Sequence, residues 1–587
     1  MNTFLMSYIY NTFINVINDN VIKFNDFNKI KDIDDYISRL KANILSETVL
    51  DIKIENPKII KCKHISPKVL AFECDIDTDM KGYVIGIDNL YYIVTDSFYN
   101  NNTNYQHMTL NSKIKQNQQY DYIHANMHIC IANKLHQYSS LIFIERNIVI
   151  YSKIVESIMY PNIYTTGVYA QNNVSYNSAN SDQLSAIMAI SNTTEAIHGP
   201  PGTGKSTTIV NLIKLRISNS QKILCTAIQN QAIESLVEKM TKENLNFTVI
   251  GNPKRLKTIS VQKSLLTEFN NDTIIINFNN KIDKVHKRAL LQIKKEGRYD
   301  ELYDQKILKY KQKINVRQKE ISKKYDIFIS TISSSSKVYT YVHQIDTIII
   351  DEAGYVTEMS ILPLIILKPI NIILIGDHKQ LKPFNHSSYL ERIMDNIPIY
   401  YESLLERFIK NNCKLSTLNI QYRMTPIICN LVSSLFYDNK LISFCCDKSI
   451  YEHPIEYFHV DGKEVQCGLS FYNIDEVDAI VCICDKLVNK EILILTFYNA
   501  QLDKLRNIIN NEKIRICSID SAQGMESDIV IISLVRTKFS KFVCDNNRIC
   551  VLLSRAKYKL IIIGNISNIV KNSNIWNRII KYVDNLK

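Results

Sequence analysis

The sequence predicts an α/β protein: two parallel-sheet domains in tandem, a β-rich domain ahead of them, and a Lys-rich helical insertion in the first. Three observations predict it. From residue 222 onward, short runs that are apolar at every residue alternate with helix-like stretches, as strands covered on both faces require. Before about residue 165 the apolar runs alternate with polar residues or stop at turn residues, which suits a smaller β-domain. Between Lys257 and Lys324, 17 Lys/Arg face 8 Asp/Glu, a net +9 of the chain's +12, and apolar residues there recur at a helical period.

Bulk properties bound the rest. The 587 residues allow three or four domains at roughly 100–200 residues each. The modest positive charge permits an anionic partner without requiring one. Fourteen cysteines show no C-x-x-C spacing, so a structural zinc site is not expected and a reducing, intracellular compartment is. The N-terminus MNTFLMSYIYNTFINVI lacks an early basic residue and does not read as a signal peptide. The most apolar window, ILPLIILKPINIILIG (361–376), holds two prolines, a lysine and an asparagine; it reads as a helix and a buried strand, not a membrane span.

The elements follow in order. Residues 1–165 form a β-rich, barrel-like accessory domain with flanking helices: VLDIKIEN (49–56), VLAFECDID (69–77) and GYVIGIDNLYYIVT (82–95) read as strands, SFYNNNTNYQ (97–106) as a polar loop. Residues 166–256 and 325–415 form the first α/β domain, with strands KILCTAI (222–228), DTIIIDE (346–352) and NIILIGD (371–377). The insertion, 257–324, reads as a basic helical pair; Ile307, Tyr310, Ile314 and Ile321 lie on one face of its second helix. Residues 416–587 form the second α/β domain, with strands EILILTF (491–497), IRICSID (514–520), DIVIISLV (528–535) and KLIIIGN (559–565).

Within that frame sits Gly199-Pro200-Pro201-Gly202-Thr203-Gly204-Lys205-Ser206-Thr207, a fit to G-x-x-x-x-G-K-[ST]. Its glycines let backbone N–H groups curl around phosphates, and the following helix N-terminus adds favourable partial charge. Lys205 reaches the β- and γ-phosphates of ATP and Ser206 binds Mg²⁺ in such loops. Three of 14 glycines fall in six residues here, which composition does not explain. Asp351 and Glu352 end a buried strand, where a carboxylate pair is costly without a cation; Asp351 would be the second metal ligand, and Glu352 is placed to orient the attacking water.

Further pieces follow in a fixed order: Gln183 in NSDQLSAI, ILCTAIQNQAIESL, Thr331 in ISTISSS, GDHKQL, IQYRM, TFYNAQ, IDSAQGMES and RICVLLSRAK. The series resembles the superfamily 1B helicases, in the group of the nonsense-mediated-decay and immunoglobulin-mu-binding helicases, over about 175–565. The resemblance implies two RecA-like motor domains and ATP-dependent movement 5′→3′ along single-stranded RNA or DNA. It implies Gln183 at the adenine edge, Tyr422 stacked on the base, Gln380 sensing the γ-phosphate, Glu526 on the nucleotide from the second domain, and Arg423 and Arg555 at the γ-phosphate. Asn230, Thr331, Tyr498, Ser521 and Gln523 would lie toward the strand. Standing alone, Gln380, Tyr422 and Tyr498 read as a surface amide and packing residues; the joint pattern gives them roles.

The chain departs from the family at Tyr355, at Cys550 and Leu552, and at Ala227-Ile-Gln-Asn230 where A-P-S-N is usual. No counterpart of the family's N-terminal Cys/His module or of an appended C-terminal domain is expected. Two rivals stand beside the helicase: an ATP-binding ribonucleoprotein scaffold or clamp with little unwinding activity, and a phosphate-loop enzyme acting on small molecules.

Overall fold

The computed structural model describes residues 3–19, 30–54, 58–66, 69–73, 80–87, 90–100, 105–112, 122–160, 179–190, 193–251, 257–296, 302–383, 402–411, 413–445, 451–487, 490–538 and 540–586. The first strands are β1 (Lys58–Ser66), β2 (Val69–Glu73), β3 (Tyr83–Ile87), β4 (Leu90–Asn100), β5 (Tyr105–Leu110) and β6 (Tyr122–Cys130). They close into an antiparallel barrel in the order β1-β2-β5-β4-β3-β6, which leaves no open edge. Ile60, Leu70, Ile85, Val94 and Met108 fill its interior. Four helices, Thr3–Asp19, Ile33–Ile54, Ala132–Arg146 and Ile148–Met159, flank it.

Two expectations fail here. VLDIKIEN is no strand: residues 49–54 end the helix Ile33–Ile54, and residues 55–56 lie outside the described set. Val49 and Ile52 are three apart and both buried, so they extend the apolar face set by Ile37, Leu40 and Ile44; the local alternation concealed that longer period. The two ends of SFYNNNTNYQ are strand: residues 97–100 belong to β4 and Tyr105 and Gln106 to β5, while residues 101–104 lie outside the described set. Cross-strand pairing (Tyr99 opposite Gln106) outweighs the polar composition.

The first large sheet holds β7 (Thr194–His198), β8 (Ile223–Ala227), β9 (Phe247–Ile250), β10 (Ile327–Thr331), β11 (Thr347–Ile350), β12 (Asn371–Gly376) and β13 (Leu415–Thr417). Its order is β13-β7-β12-β11-β8-β10-β9, every pair parallel. All seven C-terminal ends therefore lie on one edge, where ligands of open α/β sheets bind. The window 361–376 resolves into a short helix, Leu362–Ile365, and β12, whose six residues are all buried. Each fully buried Ile or Leu there contributes about 2 kcal/mol.

Next come the short parallel pair β14 (Ile420–Gln421) and β15 (Ile442–Ser443), then β16 (Ile455–His459), the hairpin β17 (Val465–Cys467) and β18 (Ser470–Tyr472), and β19 (Ile492–Thr496), β20 (Ile514–Ser518), β21 (Ser527–Ser533) and β22 (Ala556–Gly564). The second sheet is parallel, ordered β16-β22-β21-β19-β20. Tyr355, Cys550 and Leu552, three of the departures from the family, join the hydrophobic cluster of this second unit.

In the basic stretch the short helices Thr258–Gln262 and Leu265–Asn271 precede the expected pair of long packed helices, Thr273–Glu296 and Leu302–Ser322. Ile275, Ile282 and Val285 are buried, as are Ile307, Ile314 and Ile321; the rings of Phe278 and Tyr310 lie 6.0 Å apart. The N-terminal helices are tied to the first sheet by a buried triad. Arg407 pairs with Glu358, Tyr36 donates to the same carboxylate, and Arg407 Nη2 donates to the carbonyl of Ile158 at 2.7 Å. Removing one partner of such a buried pair costs about 3–5 kcal/mol. No helix among the described residues is long and apolar enough to cross a membrane.

Glu476 gives the second sheet a pH-dependent stability. It is fully buried, and burial raises its carboxyl to about 7, against hydrogen bonds from Ser533 and Val535 that lower it. A carboxyl raised above its unfolded value stabilises the fold below that value and loses the contribution as pH rises through about 7. Glu476→Gln should therefore flatten the fall of Tm between about pH 4.5 and 7, measured by thermal unfolding. An unchanged slope would contradict the assignment.

Candidate nucleotide site between the two sheets

The loop after β7 is built for close approach. Gly199 N–H donates to the carbonyl of Gly376 at 2.9 Å, seating the loop beside β12. Gly202 and Gly204 have φ of +74° and +80°. A Cβ on Gly202 would lie 2.8 Å from Arg423 Cβ, and one on Gly204 would lie 2.5 Å from Gln183 Nε2, so only glycine serves there. Lys205 opens the helix Lys205–Ser218 and its Nζ donates to the Gly199 carbonyl at 3.0 Å.

A cleft of about 690 Å³ runs between the two sheets. Gly202, Thr203, Gly204, Lys205, Ser206, Thr207, Asp351 and Glu352 line one wall, and Tyr422, Arg423 and Gln523 to Glu526 line the other. Asp351 is buried. Burial first, then the charge of Glu352, raises its carboxyl to about 7, opposed by Lys205. A carboxylate so placed is under-neutralised, and with Ser206 in the same cleft it fits an oxygen-ligated divalent cation. Glu352 has φ +52°, a left-handed conformation uncommon for a non-glycine residue. Its Oε2 accepts from Gln523 Nε2 at 3.0 Å.

The second unit grips the loop directly. Tyr422 N–H donates to the Gly202 carbonyl at 2.8 Å. The Tyr422 hydroxyl accepts from Asn180 Nδ2 at 2.7 Å, and its half-exposed ring lies 5.0 Å from that of Phe444. Arg423 Nε donates to Glu526 Oε2 at 2.7 Å and Nη1 to the Ser554 carbonyl at 3.1 Å. Arg555 is fully buried. Burial, then the charge of Arg423, pulls its guanidinium down to about 9. It donates to Gln380 Oε1 at 3.2 Å and to the Met525 carbonyl at 3.2 Å.

Other expected residues make contacts of their own, and Gln183 lines the same cleft. Gln183 turns its amide to backbone: Nε2 donates to the Thr203 carbonyl at 2.9 Å and Oε1 accepts from Asn180 N–H. It completes a capping box with Asn180, so it braces the phosphate loop. Gln523 lines the cleft and its amide donates to Glu352. Tyr498 is buried, with Phe471 and Phe542 rings 5.5 and 5.7 Å away, and is a packing residue. Asn230, Thr331 and Ser521 follow β8, end β10 and follow β20 at the C-terminal edges of their sheets. Asn230 and Ser521 are exposed, whereas Thr331 Oγ1 is engaged with Ser333 and Ser334.

Sequence reasoning missed Lys239. Its Nζ donates to Thr207 Oγ1 at 3.1 Å from the helix Asn230–Lys242. Burial lowers its ammonium while the charges of Asp351 and Glu526 raise it. It is a further cation in the cleft, and no motif marks it. Arg515 and Lys557, also missed, line the opposite wall and hold Glu526, through its carbonyl and its carboxylate respectively.

Known proteins resemble this chain over the same region. Two family models described as AAA domains match residues 178–388 and 400–567. An uncharacterized ATP-dependent helicase of Methanocaldococcus jannaschii is 30% identical over 459 residues, covering 67% of this chain and 68% of the relative. Regulator of nonsense transcripts 1 of Caenorhabditis elegans is 26% identical over 435 residues, 69% of this chain. DNA-binding protein SMUBP-2 of Mesocricetus auratus is 28% identical over 412 residues, 62% of this chain. The chain spans only 39% and 40% of those two relatives. Among solved structures, an arterivirus nonstructural protein 10 helicase in complex with DNA aligns over 88% of this chain and 80% of its own, at 10% identity and a TM-score of 0.39.

Proposed function

The chain belongs to the superfamily 1 helicases of the group that includes the regulators of nonsense transcripts and SMUBP-2, and from that premise we propose that it hydrolyses ATP in the cleft between its sheets to move along single-stranded RNA or DNA. The observation that carries the reading is the contact of both units with one loop. The first unit supplies Lys205, Asp351 and Glu352, and the second lays Tyr422 and Arg423 on Gly202.

The roles follow from the placement. Backbone N–H groups of Gly202 to Lys205 and the Lys205 ammonium hold the phosphates. Glu352 orients the attacking water, and Arg423 and Arg555 offset charge on the transferring phosphoryl group. Ser206 and Asp351 would hold Mg²⁺, which when bound supplies further neutralisation of the phosphate oxygens. Tyr422, half-exposed at the rim, packs on the base, and Glu526 takes the ribose side once Arg423 leaves it. Asn230, Thr331 and Ser521 mark the strand-facing edge, where contacts to phosphate and sugar give low sequence preference. ATP bridges the two units, hydrolysis removes the bridge, and alternate closing and opening on a strand yields steps in the 5′→3′ direction. The 257–324 insertion and the barrel are accessory domains of the first motor unit, and the protein works inside the cell.

The test is movement. Duplexes with a 5′ or a 3′ single-stranded tail, in RNA and in DNA, are offered with ATP or a non-hydrolysable analogue. Strand separation only from the 5′-tailed substrate and only with ATP is expected. Strand binding without ATP-dependent separation from any substrate would favour the scaffold reading.

A further inference from the structure

Beneath the phosphate loop lies a buried cluster that the mechanism above does not use. His198, Asp377 and His378 bring potential ligand atoms within 4.8 Å of one another. The hydrogen bonds explain the cluster without a metal. Asp377 Oδ1 accepts from His198 Nε2 at 3.0 Å and from Lys379 N–H at 2.9 Å. Oδ2 accepts from Gln380 Nε2 at 2.9 Å and from the Tyr437 hydroxyl at 2.6 Å. Four donors fill the four lone-pair positions of the carboxylate, and none is left for a cation.

One of those donors comes from the other unit. Asp377 directly follows β12 of the first sheet, whereas Tyr437 follows the helix Pro426–Phe436 and belongs to the core of the second. Its hydrogen is committed to Asp377, an acceptor only, so its oxygen accepts from the Cys550 thiol at 3.2 Å. The turn receives a second contact from that unit: Asn547 Nδ2 donates to the Gln380 carbonyl at 2.6 Å. The consequence falls on Gln380. With Nε2 held by Asp377, its amide can present only Oε1 to Arg555. An amide turned over would set a donor against a guanidinium and leave a buried acceptor unmet.

We propose that Tyr437 is a positioning residue for hydrolysis: its hydroxyl, delivered by the second unit, fixes Asp377 and through it the amide of Gln380, so that this side chain is aligned only when the two units are docked. The inference rests on the cleft being an ATP-hydrolysing site. It makes domain closure a condition for catalysis through a residue that touches neither the phosphate loop nor the metal carboxylates.

Tyr437→Phe keeps the ring and removes the hydroxyl. Strand-stimulated kcat should fall about tenfold with KM for ATP within about twofold of the wild type. Nucleotide-binding stoichiometry gives the folded fraction, and kcat is expressed per binding site, so partial misfolding does not imitate the effect. A variant with wild-type kcat would overturn the proposal while leaving the ATP site standing. So would kcat and nucleotide affinity failing together, because that is the mark of lost packing. A wild type that does not hydrolyse ATP would overturn the function and this latch with it.

Discussion

Glu352→Gln should reduce ATP hydrolysis by roughly a thousandfold while nucleotide still binds. The side chain follows β11 and lines the cleft wall that carries Lys205 and Ser206. Its backbone is held in a left-handed conformation at φ +52°. Glutamine preserves length, shape and the capacity to accept from Gln523, and removes only the negative charge that orients a water. Steady-state hydrolysis and fluorescent-nucleotide titration on the purified variant separate the two effects. Lys205→Ala should abolish turnover too, but by weakening phosphate binding, since Lys205 is the cation at the loop itself.

Arg423→Ala should remove hydrolysis to a similar extent, about a thousandfold, with nucleotide affinity changed by only a few-fold. Arg423 stands against Gly202, whose added Cβ would meet its own, yet its guanidinium rests on Glu526 and the Ser554 carbonyl. Under the proposed function it exchanges that ion pair for the γ-phosphate. Burial would raise the Glu526 carboxyl, but the charge of Arg423 and its hydrogen bond hold it below the usual range, so the parked pair is a real competitor for the γ-phosphate. Arg423→Lys should not restore the rate, because an ammonium cannot keep two directed contacts in one plane. Hydrolysis that survives Arg423→Ala would return this residue to the status of an ordinary ion pair.

Part of each parallel sheet is legible because several strands are apolar at nearly every residue, a pattern that needs no knowledge of neighbours; β7, with Glu195 and His198 within it, gives no such signal. Thr347–Ile350 and Ile492–Thr496 could be read from their own letters. The phosphate loop was legible because glycine is scarce in this chain and clusters there. The segment 49–54 was misread because six residues fit both a strand alternation and the last turns of a long helix. Gln183 was placed correctly in the chain, but its amide is governed by a cap from Asn180. Gln523 was assigned to the strand side by family analogy, while its amide reaches Glu352 across 171 positions of sequence. The Asp377 cluster was invisible for the same reason: His198, Asp377, Tyr437 and Cys550 come from four separate segments, and no spacing rule joins them.

The central claim is that a strand, ATP and both sheets work as one machine. The rate of ATP hydrolysis by the wild-type protein, measured with no polynucleotide and then with single-stranded RNA or single-stranded DNA, tests it most directly. A low basal rate that rises at least about tenfold with one of the strands is the predicted result. A rate indifferent to both would contradict it, and would leave the cleft as that of a phosphate-loop enzyme acting on something smaller.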